Sequence, residues 1–73
     1  MRLVTGTQYE ASISLNIFER MASNDTIKSK LEGAGFTGVI VWGSGSTRAA
    51  RGVWSGQTQD ADIPSQVKAV RIV

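Results

Sequence analysis

Residues 8–16 read Gln-Tyr-Glu-Ala-Ser-Ile-Ser-Leu-Asn, so that apolar Tyr9, Ala11, Ile13 and Leu15 alternate with polar Glu10, Ser12, Ser14 and Asn16. Successive side chains of an extended backbone point to opposite faces, and this period of two predicts a strand with one dry and one wet face. Such a strand is stable only within a sheet whose dry side is covered. Both the neighbouring strands and the cover must come from the remaining residues.

Three segments can supply neighbours. Thr37–Trp42 is β-branched and aromatic, Thr47–Ser55 reads as a returning strand, and Gly43-Ser-Gly-Ser46 between them is a turn by composition. An antiparallel hairpin follows, with its register open between turns of two, three and four residues. Val67–Val73 reads as a last strand, with Val70 and Ile72 on one face and Ala69, Arg71 and Val73 on the other. Arg2–Gly6 is a short, ragged extension ahead of the first strand.

The cover is a helix. Ser23, Asn24 and Asp25 are candidate N-caps, because their side chains accept from the free amides of a first turn. From Thr26 to Ala34, Ile27, Leu31 and Ala34 fall on one stripe, while Lys28 and Glu32 make an i,i+4 pair in the less favourable order. Gly33 and Gly35 mark its end, and Phe36 is expected to fold back onto it. Residues 17–23 are ambiguous: Ile17, Phe18 and Met21 fit either a continued strand or a helical turn. Gly56–Asp62 is polar and loop-like, with Asp62 expected to cap a short turn through Ile63, Pro64, Ser65 and Gln66.

The order is therefore β–α–β–β–(short turn or helix)–β in a single small domain, 1–73. It predicts an α+β fold with one helix packed on a mostly antiparallel sheet of three or four strands. The nearest common pattern is a ferredoxin-like, or split βαβ, variant whose second helix is cut to about one turn. The helical crossover also admits parallel neighbours and a mixed sheet.

Composition narrows the chemistry. The 73 residues include no histidine and no cysteine. That removes the usual neutral-pH acid–base group, the redox thiol, disulfide staples and the commonest metal ligands. A domain this small buries only about 60% of its unfolded surface, so the core is thin and contact with another surface is expected. Asp60 and Asp62 lie two apart, as in a hard-cation loop, but the sequence supplies no further oxygens in register; a solvated loop and a cap explain them. Gly33-Ala-Gly35 follows a helix and Gly43-Ser-Gly45-Ser46 joins two strands, so neither has the strand–glycine–helix order of a phosphate loop. The expectation is a protein that is not an enzyme and carries no cofactor or metal.

Candidate binding residues cluster on the hairpin: Trp42, Arg48, Arg51 and Trp54, with Lys68 on the last strand. Aromatic rings interleaved with arginines on an open sheet form a stacking platform for bases or sugars. Parity restricts it. Arg48, Ala50, Gly52 and Trp54 share one face, Ala49, Arg51 and Val53 the other, and Trp42 lies with Ile40. One tryptophan is then core and the other exposed beside a single arginine.

The functional expectation is a non-catalytic interaction module for a protein partner or a second copy, acting through a sheet edge, notably Ala69–Val73, or an open sheet face. The alternative is single-stranded nucleic acid or another polyanion held by Arg48, Arg51 and Lys68 with a tryptophan; the net charge of +2, with basic residues dispersed, permits this without demanding it. A glycan on the same tryptophans is the second alternative. Met1–Gly6 lacks an apolar leader core, and the longest apolar run, Val39–Trp42, is far short of the roughly 18 residues of a membrane span. The expected location is the cytoplasm, with a virus particle equally compatible.

Two short stretches resemble known families. Arg51-Gly52-Val53-Trp54 resembles the opening of the RNA-recognition-motif signature, basic–glycine–aromatic, and departs from it where Val53, Trp54 and Ser55 replace the aromatic–small–aromatic order. Ile27–Val41, through Leu31 and Gly35-Phe36, is similar to the helix–strand step of SPOR-type glycan-binding repeats. Neither likeness assigns a role to a residue.

Overall fold

The computed structural model describes all residues, Met1–Val73. The elements follow as β1 (Arg2–Leu3), β2 (Gln8–Ser14), α1 (Asn24–Ala34), β3 (Phe36–Ser44), β4 (Thr47–Trp54), β5 (Gln59–Asp60) and β6 (Val67–Ile72). One sheet has the order β3-β4-β2-β6, and β1 pairs with β5 in a separate ribbon. The fold is α+β, one helix on a four-stranded sheet, with the strand order of a split βαβ unit.

The crossover through α1 makes β2 and β3 parallel, but β4 lies between them. Every neighbouring pair is therefore antiparallel, and the sheet is not mixed. The β3–β4 hairpin closes on the pair Ser44 and Thr47, leaving a two-residue loop, Gly45-Ser46. Gly45 has φ +67°, the left-handed conformation that the first position of a type II′ turn requires. The Ser46 carbonyl accepts from Leu15 N at 2.8 Å, which ties the turn to the end of β2.

The helix starts at Asn24, two residues before the predicted Thr26. Ser23 is its N-cap, with Oγ accepting from Thr26 N at 3.1 Å. Lys28 and Glu32 form no ion pair; the three ion pairs of the chain lie elsewhere. Phe36 opens β3 and meets the Trp54 ring edge-on, with centroids 5.0 Å apart.

Residues 17–21 take the second of the two alternatives: the strand stops, and a single turn forms in which Arg20 N donates to Asn16 O at 3.0 Å. One segment departs from expectation. No helical turn forms at Asp62–Gln66; only Ser65-Gln66 turns, with Val67 N donating to Pro64 O at 3.0 Å. Pro64 pushes Ile63 away from helical backbone angles, which explains the loss. The second helix of the split βαβ pattern is thus absent altogether.

The dry face is set by register. Tyr9, Ala11 and Ile13 of β2 stand opposite Gly52, Ala50 and Arg48 of β4. Leu3, Tyr9 and Trp54 form the buried cluster at one end, with Phe36, Ala61 and Val70 packed around it. β5 pairs with β1 and so holds Leu3 in place. No residue of α1 is buried, and it packs chiefly against β3, with Arg48 of β4 reaching Asn24 at its start. The helix therefore roofs only one side of the dry face.

Candidate functional site

The five residues singled out from sequence separate into two groups. Trp54 and Arg48 are on the dry face, 4% and 6% exposed, which removes both from any surface platform. The Trp54 indole is wedged between two glycines: a Cβ on Gly35 would lie 2.8 Å from its Cζ3, and one on Gly56 2.5 Å from its Cζ2. Its Nε1 donates to Gln57 O at 2.8 Å, so the buried N–H is satisfied.

Arg48 is a structural clamp. Its Nε donates to Gly45 O at 3.0 Å, Nη1 to Ala22 O and Asn24 Oδ1 at 2.8 Å each, and Nη2 to Arg20 O at 2.8 Å. One guanidinium thereby joins the hairpin tip, the turn before the helix and the first helical residue. The fork geometry of arginine suits three directions at once, and the hydrogen bonds are charge-assisted.

Trp42 and Arg51 lie on the opposite, wet face. Trp42 is 43% exposed beside exposed Ile40. Register places Ile40, Arg51, Glu10 and Arg71 in one row across β3, β4, β2 and β6. Glu10 Oε1 accepts from Arg51 Nη2 at 2.7 Å, and Oε2 accepts from Arg71 Nε at 2.9 Å. The Arg51 hydrogen bond, then that of Arg71, hold the Glu10 carboxyl below its ordinary value. Arg51 Nε is buried without a partner. The row is a closed ion triad with one positive charge left over. Lys68 stands apart, its Nζ donating to Ser65 O at 2.6 Å. The structure therefore brings together Trp42 and Arg51 alone.

The dry face holds a feature that residue-by-residue reading does not show. Between α1, the sheet and residues 59–67 lies a cleft of about 290 Å³, lined by 20 residues of which 15 are hydrophobic. Leu31 and Ala34 form one wall, Ala11 and Val39 the floor, and Ile63 and Pro64 the other wall. Ala34, Ile63 and Pro64 are exposed, so the cleft opens to solvent there. It occupies the place where a second helix would complete the roof. The only hint in the sequence is Ile63-Pro64, which breaks that helix while keeping its apolar side chain.

The turn at 17–21 is the second missed feature. Phe18, Met21 and Ile17 are 88%, 86% and 65% exposed, the most open large apolar side chains apart from Ile72. Their backbone is nonetheless fixed. Asn16 Oδ1 accepts from Phe18 N at 2.9 Å and Glu19 N at 2.8 Å, and Glu19 Oε1 accepts from Asn16 N at 3.1 Å. This reciprocal pattern is a capping box on a one-turn segment, and Asn16-x-x-Glu19 is its sequence signal. Gln66 Nε2 donates to Glu19 Oε2 at 2.7 Å, and Arg48 holds the Arg20 and Ala22 carbonyls. Backbone N–H donation from Asn16, then the Gln66 amide, lower the Glu19 pKa.

Three or more acidic side chains nowhere gather as a cation site. Asp60 sits 3.9 Å from Arg2, and Asp62 lines the cleft. No helix is long and apolar enough to cross a membrane. No known protein family, curated protein or solved structure matches the chain.

Proposed function

We propose that this chain is a non-catalytic binding module that receives apolar side chains of a protein partner in the cleft beside α1. The observation that carries this reading is the cleft itself: about 290 Å³, three-quarters apolar in its lining residues, open at Ala34, Ile63 and Pro64. Water gains few hydrogen bonds there, and an apolar cavity half that size, about 150 Å³, already takes up benzene. Sites of this kind orient an occupant by a few polar groups at the rim, here Asp62 and Gln59.

Both free sheet edges argue against strand addition as the main mode. β6 has a register shift opposite Ser12/Ile13 and carries Lys68 and Arg71; β3 shifts register between Thr37 and Ile40. Bulges and charge on an edge discourage pairing with another chain.

The test uses a neutral aromatic probe, N-phenyl-1-naphthylamine, with Trp42→Phe so that Trp54 is the one tryptophan, excited selectively above the tyrosine band. Saturable change in Trp54 emission, abolished by Ala34→Lys at the mouth, is the expected result. No change with the native near-ultraviolet circular dichroism intact would remove the cleft from consideration.

Exposed Trp42 beside Ile40 and Arg51 supports a second reading, a stacking surface for single-stranded nucleic acid. Glu10 neutralises much of the arginine charge there, which weakens it. Quenching of Trp42 by an oligonucleotide, reversed by salt, would favour it; salt-insensitive quenching by an oligosaccharide would indicate a glycan instead.

A further inference from the structure

We infer that the partner is a second copy of this chain, whose 17–21 turn seats Phe18 and Met21 in the cleft; this rests on the cleft being a binding site. Three observations converge. The first is a match of size within one molecule. Phe18 and Met21 project from a turn held by Asn16, Glu19, Gln66 and Arg48, and neither lines its own cleft. A cleft of about 290 Å³ is about twice the size of a benzene site, room for one ring and one thioether chain.

The second is surface area. Ile17, Phe18 and Met21 together expose roughly 400 Å², about half of the ~800 Å² that each side of a stable interface buries. An apolar patch of that size is within the range of the largest patches on monomers, which are often functional. Because its backbone is already fixed, little further ordering opposes docking.

The third is charge. Arg20 is exposed on the turn between Phe18 and Met21, and Asp62 is exposed on the lip of the cleft. Neither belongs to any ion pair within the chain. Seating the turn brings a free cation to a free anion, which orients the apolar group as it enters. Turn and cleft are different surfaces, so reciprocal exchange about a two-fold axis closes a dimer, whereas one-way, heterologous seating extends as a ring or chain of copies.

The experiment is sedimentation velocity on the full chain from about 1 µM to about 1 mM. Concentration-dependent association is expected, weakened at least about tenfold by Phe18→Asp. That residue is exposed, so its variant keeps the native circular dichroism. Asp62→Lys is expected to weaken association and Arg20→Asp to restore it in the double variant, which a general loss of folding would not do. A strict monomer across the range overturns the inference; if N-phenyl-1-naphthylamine still binds Trp54's cleft, the cleft reading survives and only the second copy is lost. Association abolished by Trp42→Ser but kept by Phe18→Asp would also overturn it, by moving contact to the wet face.

Discussion

Replacing Arg48 by methionine keeps most of the buried stem and deletes the charged head. Four hydrogen bonds go with it, to Gly45 O, Ala22 O, Asn24 Oδ1 and Arg20 O, all at 2.8–3.0 Å. A hydrogen bond to a charged group contributes about 1.5–3 kcal/mol net, so the gross loss is several kcal/mol. Two corrections reduce it. Gly45 and Arg20 are exposed, so their carbonyls return to water, and the native cost of desolvating the guanidinium disappears. A net loss of about 3 kcal/mol remains, or roughly 12–24 °C in Tm for a domain of this size. Urea unfolding followed by tryptophan emission reads it, with Trp42→Phe as the background so that the signal is that of Trp54. Arg48→Lys is expected to recover only part, because an ammonium cannot reach three directions from one fixed plane. A loss below about 1 kcal/mol for Arg48→Met would refute the clamp and show that the turn is held by its capping box alone.

Two further outcomes are expected. Gly35→Ala forces a φ of +124° onto a residue with a side chain and drives its Cβ to 2.8 Å from the Trp54 ring; a loss of about 2–3 kcal/mol in the same urea assay is expected, with near-ultraviolet dichroism showing the displaced indole. Glu10 and Glu19 both have carboxyls held below the ordinary 4.5, so the stability they contribute is present above that value and fades as pH falls through their folded pKa values. A pH series of urea midpoints checks this, with Glu10→Gln expected to flatten the acid limb; an unchanged limb would mean that the Arg51–Glu10–Arg71 row adds nothing to folding.

Much of the architecture is legible because it obeys local periods. The alternation from Tyr9 to Ile13 fixes which face of β2 is dry, and antiparallel pairing carries that parity to Ala50 and Trp54. The same parity separates Trp54 from Trp42 before any contact is known. Arg48 shows its limit. Its parity places it on the dry face, yet arginine there reads as surface, because its partners, the Arg20 and Ala22 carbonyls, lie 28 and 26 residues away in a turn with no period of its own. The ribbon of β1 and β5 is invisible for a similar reason: two residues a strand is too short for any pattern. The cleft is hinted at only by Ile63-Pro64, because it is a space left by a missing helix and no residue pattern encodes a space.

The sheet order also governs how the chain must be put together. β2 is synthesised first among the long strands, yet it ends up second from one edge, flanked by β4 and β6. Its neighbour across the middle, Arg48 to Val53, emerges about 40 residues later, and Val67 to Ile72 later still. Tyr9 and Ile13 therefore stay without their sheet neighbours until β4 and β6 have emerged, and no nascent fragment ending before Trp54 holds a finished dry face. Loop closure over that span precedes any reward from pairing β2, which sets this protein with the mixed α/β domains, slower to fold than a helical bundle of its length.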